Sequence, residues 1–153
     1  MIGYVLVGTN DVKRAAAFYD ELLAEVGAKR TWESERGVAW GVSEDQPGLG
    51  IVTPYDGKAA TVGNGVMVAL AAKSRDQVDR VYRKAMGLGG KDEGPAGPRG
   101  EGGYYAAYFR DLDGNKLSVF CEGLVSRRGI AAAKARVPSP PANEGGPISR
   151  ADS

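Results

Sequence analysis

The hydrophobic positions of this chain run through one pattern twice. A short β-branched run, Tyr4 to Gly8, precedes a segment in which Val12, Ala15, Ala16, Tyr19, Leu22, Leu23 and Val26 recur at helical spacing and form one apolar stripe. Asn10 or Asp11 stands where a side-chain oxygen can cap the first-turn amides, and Gly27 stands where the helix should stop. Runs with strand character follow at Arg30 to Ser34, Val38 to Ser43 and Leu49 to Thr53, the last two flanking the turn residues Asp45-Gln46-Pro47-Gly48. Asp56-Gly57 and Gly63-Asn64-Gly65 are turn signals, and after them the order begins again. Val66 to Ala71 reads as a strand, and Ser74 with Gln77 has the spacing of a capping box. Val78, Val81, Tyr82, Ala85 and Met86 supply the second stripe, which Gly89-Gly90 ends. Tyr104 to Arg110 and Lys116 to Cys121 read as a closing hairpin. Its turn is Asp111-Leu112-Asp113-Gly114-Asn115, where carboxylates can bond turn amides and Gly114 can take the left-handed conformation.

The repeat has a register. Val5 and Val68, Tyr19 and Tyr82, and Gly27 and Gly90 are each 63 residues apart. Asp45 and Asp111, Gly48 and Gly114, and Ile51 and Leu117 are each 66 apart, the difference fitting inside the Gly-rich stretch Gly94 to Gly103. The pattern predicts an α+β protein of paired βαβββ modules, residues 1–62 and 63–121, with a cleft between two curved mixed sheets. Beyond Cys121 the composition changes. Pro138, Pro140, Pro141 and Pro147 among scattered Gly and Ser argue for a disordered tail over residues 122–153.

A chain of 153 residues, 42% hydrophobic and 25% charged, is long enough to bury a core as one domain. Its net charge of +1 provides no basic stripe for nucleic acid. No apolar run reaches the length of a membrane span, and no basic-then-apolar leader opens the chain, which predicts neither membrane insertion nor secretion. The lone Cys121 has no partner for an internal disulfide and suits a reducing cytoplasm.

The repeated architecture, with Gly8-Thr9-Asn10-Asp11-Val12 leading into Ala17-Phe18-Tyr19 and the closing Tyr105 to Lys116 hairpin, resembles the vicinal oxygen chelate superfamily. That superfamily includes glyoxalase I, bleomycin-resistance proteins, fosfomycin-resistance enzymes and extradiol dioxygenases. The resemblance covers about residues 1–121 and implies the glyoxalase/bleomycin resistance/dihydroxybiphenyl dioxygenase-like fold. In members that do chemistry, His and Glu from the first and last strands of each module hold one divalent metal. The matching positions here are Tyr4, Val52, Met67 and Ser118, none a normal ligand for a hard or borderline cation. With no His in the chain, the resemblance therefore implies a member without the family metal site and without a cofactor.

Strand alternation predicts the cleft lining. Pairing the final hairpin about its turn sets Tyr108 across from Ser118 with Ala106 and Tyr104 on the same face, while Leu117 and Val119 point to the helix. The same reasoning places Trp40, Val38 and Val42 on the face of Val52, and Tyr4 and Met67 enter from the two first strands. Arg99 sits on the Gly-rich stretch Gly94 to Gly100, read as a loop able to fold over the cleft and clamp an anion. Arg110 reads as a surface charge, Asp111 and Asp113 as turn stabilisers, and Cys121 as a small buried hydrophobe. An aromatic and apolar lining with a few hydroxyls predicts binding or sequestration of a small aromatic or amphipathic organic molecule. The resemblance adds a homodimer, because the bleomycin-resistance branch forms its groove between chains. The alternative is an enzyme of lyase, isomerase or dioxygenase type. It would work without metal, with Tyr4, Tyr104 or Tyr108 as acid and Ser118 or Arg99 steering an oxyanion, or through unconventional carboxylate ligands.

Overall fold

The structure is a computed structural model, and it describes residues 1–123. The tail expected over 122–153 lies outside the described residues except for Glu122 and Gly123. The order of elements is β1 (Tyr4–Gly8), α1 (Val12–Ala24), β2 (Lys29–Ser34), β3 (Gly37–Gly41), β4 (Gly48–Val52), β5 (Val68–Ala71), α2 (Arg75–Gly87), β6 (Lys91–Pro98), β7 (Tyr105–Arg110) and β8 (Lys116–Cys121). The two sheets have equivalent orders, β1-β4-β3-β2 and β5-β8-β7-β6. In each, the first strand runs parallel to the last and the other pairs are antiparallel. The α+β architecture of paired βαβββ modules is therefore present.

Local chemistry sets the helix ends. The Asp11 carboxylate accepts a bond from the Arg14 amide at 3.0 Å, and the Ser74 hydroxyl accepts from the Gln77 amide at 3.2 Å. The Gln77 side chain reaches back one residue further than in a standard capping box, accepting from the Lys73 amide at 2.7 Å. Gly27 follows α1 with φ +82°, a left-handed value only glycine takes freely.

Each helix covers one face of its own sheet, and the two helices pack on one another. The stripe of α1 buries Ala15, Ala16, Phe18, Tyr19, Leu22 and Leu23 against Val38, Trp40, Leu49 and Ile51. Val78, Val81 and Ala85 of α2 meet Ala107, Phe109, Leu117 and Val119. Among the described residues the opposite face of each sheet carries no helix. Exposed apolar side chains collect along these strands and the linker, including Tyr4 (70% exposed), Leu6, Trp32, Val66 and Met67.

One expected loop is a strand. β6 enters the Gly-rich stretch and pairs with β7 as far as Pro98, with register shifts around Gly94 and before Gly97. Glycine and proline weaken a strand signal in sequence, but an edge strand with bulges accommodates both.

Candidate functional site

The open face of the first sheet is a slot. Strand register aligns Leu6, Gly50, Ala39 and Trp32 in one row across β1, β4, β3 and β2. Large side chains stand on the two edge strands and small ones lie between them. Leu6 leans inward, since a Cβ added at Gly50 would lie 2.8 Å from its Cδ2. The resulting cavity of about 890 Å³ is lined by Tyr4, Leu6 and Val52, by Ala39, Gly41 and Gly48 as floor, by Thr31 and Trp32, and by Ser43, Glu44 and Gln46 from the β3–β4 turn.

The equivalent face of the second sheet is a ridge. Its row reads Ala69, Ser118, Tyr108 and Gly94, with small residues at the edges and an aromatic in the middle. The Arg99 guanidinium lies 5.4 Å and the Lys116 ammonium 5.9 Å from the Tyr108 ring centre. Tyr104 stacks on Phe120 beside them, and burial pushes the Tyr104 phenol above its ordinary pKa. Glu93 pairs with Arg110 at 2.7 Å and Lys116 at 3.6 Å, and the bond from Arg110 is the main cause holding its carboxyl below the usual range.

The predicted lining residues therefore divide. Tyr4 and Val52 line the slot; Arg99, Tyr108 and Ser118 belong to the second sheet's face, where Tyr104 stacks on Phe120, and Met67 stands just before β5. Met67 contributes instead to a cavity of about 640 Å³ beside Gly63 to Val66, Arg110 and Lys116. Arg99 does not reach over the first sheet: it donates to the Pro95 carbonyl at 2.6 Å, folded back onto its own strand.

Trp40 is not a lining residue. It is 2% exposed on the helix side, its ring 5.6 Å from that of Tyr19 and its indole N–H donating to Asp20 at 2.8 Å. Val38 is buried on that side too, and Val42 lies beyond the strand. The reason is hairpin parity. Residues 42–47, an even number, join β3 to β4, so Val52 faces Gly37 and shares its side with Ala39 and Gly41. Residues 111–115, an odd number, join β7 to β8, and there Tyr108 meets Ser118 as the sequence predicts. Asp20 is held below the usual carboxylate range chiefly by its bond from Arg30, with Trp40 adding to it.

Sequence reading missed Trp32. The strand pairing shifts between Arg30, opposite Trp40, and Trp32, opposite Ala39. Thr31 is the extra residue of this bulge, and both Thr31 and Trp32 line the cavity where simple alternation would supply only one. No composition signal marks a bulge between β-branched and aromatic residues.

The four positions matched to the family's metal ligands do not fit a metal. Tyr4 offers a solvent-exposed phenol, Val52 has no donor atom, the Met67 thioether is soft, and the Ser118 hydroxyl is fully buried with no hydrogen-bond partner among the described residues. Strand register also sets Ser118 against Ala69 and therefore in the place of Gly50, not Val52. Among the described residues no three His, Cys, Asp or Glu side chains gather into a metal-holding group.

A polar seam joins the modules beside these faces. The buried Tyr19 hydroxyl donates to Asp111 at 2.7 Å, and Asp111 also accepts from the amides of Asp113 and Asn115. Asp113 accepts from the Thr9 hydroxyl at 2.6 Å and the Asn10 amide at 3.0 Å, while the Asn115 side chain donates to the Gly8 carbonyl at 2.8 Å. Burial first, and then the neighbouring Asp111 charge, push the Tyr19 phenol well above its ordinary value. Asp111 and Asp113 thus brace their own turn and also clamp it to the start of α1. Cys121 is buried, and burial raises its thiol pKa, as befits a small hydrophobe.

A family model described as the Glyoxalase/Bleomycin resistance protein/Dioxygenase superfamily matches residues 1–119. A solved glyoxalase/bleomycin resistance protein from Albidiferax ferrireducens T118 is 34% identical, with TM-score 0.74 over 80% of this chain and 99% of that one. The fold also matches the fosfomycin resistance protein FosX from Listeria monocytogenes at 16% identity and TM-score 0.62, over 81% of this chain and 94% of that one. Lactoylglutathione lyase from Agrobacterium tumefaciens matches at 19% and 0.59, over 79% of this chain and 92% of that one. The comparison with curated proteins found no match.

Proposed function

Because the chain belongs to the glyoxalase/bleomycin resistance protein/dioxygenase superfamily, we propose that it is a member without the family metal site that binds or sequesters a small aromatic or amphipathic organic molecule. The observation that carries this reading is the slot on the first sheet, about 890 Å³ in volume, with Tyr4 and Trp32 as walls and a floor of glycine and alanine. Binding is favoured over turnover by the side chains present. Of the phenols offered as acids, Tyr104 is driven further from titration at neutral pH, and the Ser118 hydroxyl is out of reach of a substrate.

A second copy packed on the linker beside the open faces would remove Val62, Val66 and Met67 from water and leave the slot open to a ligand, which supports a homodimer. Among the described residues no helix is long and apolar enough to cross a membrane, and the unpaired Cys121 accords with the cytoplasm.

Nile red, a neutral planar dye, tests the slot. Wild-type protein should bind it with a fluorescence rise, and Ala39→Leu, which fills the floor from the open side, should abolish that rise. The melting temperature of the variant should stay close to wild type, since the added atoms point into open space. Dye binding unaltered by Ala39→Leu would place the ligand elsewhere and sink the reading. Sedimentation velocity tests the dimer separately.

A further inference from the structure

We infer that the slot selects a planar aromatic ring bearing a cationic group, with Trp32 as specificity-determining residue and Glu44 as counter-charge; the inference rests on the binding reading above. Trp32 is held in the slot by the β2 bulge. In a regular pairing with Thr31 opposite Ala39, Trp32 would fall opposite Val38 and its indole would point to the helix side, where Trp40 already fills the space. The bulge leaves it half-exposed on the open face, and among the described residues its indole has neither an aromatic partner nor a hydrogen-bond acceptor. An aromatic side chain left this exposed above a hollow has a free π-face to offer.

The floor beneath is flat. Ala39, Gly41 and Gly48 present nothing beyond a methyl group, so a ring can approach the strand backbone closely. Tyr4 and Trp32 rise from the two edge strands, whose axes lie about 14 Å apart across three strand spacings, and Tyr4 stands two positions along β1 from the row of Trp32. That span suits fused rings lying flat between two aromatic walls.

Among the described residues Glu44 is the one charged side chain in the lining. Of the bases on the neighbouring strands, Arg30 is engaged with Asp20 and Glu33 and Arg36 with the Tyr55 ring, while Lys29, opposite Gly41 on the slot's own face, points into solvent without an acidic partner among the described residues. The neighbouring Asp45 accepts from Ser43 at 2.7 Å. A delocalised cation would gain at Glu44 and at the aromatic faces together, whereas an anion would meet repulsion at both.

Three probes of similar size test this by calorimetry on the full chain: proflavine (planar cation), acridine-9-carboxylate (planar anion) and 1-adamantylammonium (globular cation). Proflavine should bind tightest, and Trp32→Leu should weaken it about tenfold, the scale of one aromatic contact, with Trp32→Phe recovering part of the loss. Glu44→Gln should weaken proflavine and erase its advantage over acridine-9-carboxylate. Equal affinity for all three probes, or an unchanged Trp32→Leu variant, overturns the inference. If the anion or the globular cation binds at least as well and is lost in Ala39→Leu, this selectivity fails while the binding reading stands. If no probe and no Nile red binds, both fail.

Discussion

The two modules share one backbone plan and put it to opposite uses. Across the open face of the first sheet the row is Leu6, Gly50, Ala39, Trp32; across the second it is Ala69, Ser118, Tyr108, Gly94. Large, small, small, large makes a hollow. Small, small, large, small makes a ridge, which Arg99 and Lys116 then flank. Fold alone therefore does not decide which face is hollow. Side-chain volume at four equivalent positions does, and it assigns the hollow to module one.

The closing turns differ as sharply. The offset of 66 sets Asp45 against Asp111, yet Asp45 is exposed and bonds only to Ser43, while Asp111 is 6% exposed and serves both its own turn and Tyr19. Asp111→Ala would strand the Tyr19 hydroxyl and two turn amides, each costing on the order of 1–3 kcal/mol when buried without a partner. Urea denaturation should show a loss of about 3–5 kcal/mol, the largest change expected of any single substitution in either turn. Asp45→Ala should leave the urea midpoint where it is. Equal losses from the two variants would mean that the turns are interchangeable and that the seam holds nothing.

Much of this was legible beforehand because it rests on local rules. The helical stripes, the caps at Asp11 and Ser74 and the Tyr108–Ser118 pairing follow from periodicity and turn chemistry within a few residues. The site was less legible because it depends on parity. One residue more or less in a hairpin moves Trp40 from slot to core, and a shift of pairing at Thr31 moves Trp32 the other way. Neither change alters composition or propensity. The seam was only half visible: the Asp-x-Asp-Gly-Asn turn announced itself, but its bonds to Thr9, Asn10 and Tyr19 span about a hundred positions that no local pattern connects.

Alkaline titration sharpens the contrast between the paired tyrosines, Tyr19 and Tyr82. Both are raised, Tyr19 well above its ordinary value in the core and Tyr82 at a half-exposed site bonded to Asp92 at 3.0 Å. With the folded pKa above the unfolded one, the unfolded chain loses its proton first as pH rises. The Tyr19 contribution is therefore complete below pH about 10 and declines above it, by about 1.4 kcal/mol per pH unit until the folded phenol itself titrates. Tyr19→Phe should flatten the fall of stability above pH 10 by that slope, and Tyr82→Phe by less. Identical slopes in both variants would show that the seam does not desolvate Tyr19.

The smallest effect concerns the middle of the ridge. Ser118 occupies the register position of Gly50, and its hydroxyl is buried with no protein partner among the described residues. A desolvated hydroxyl with no bond works against folding, so Ser118→Ala should leave stability unchanged or raise it by up to about 1 kcal/mol. Most large-to-small changes at fully buried sites lose stability, so the sign alone is informative. A gain would mean that module two keeps this hydroxyl at a cost to stability. A loss above about 1 kcal/mol would reveal a bond formed there in solution, and the second face would then be a polar site and not a packed ridge.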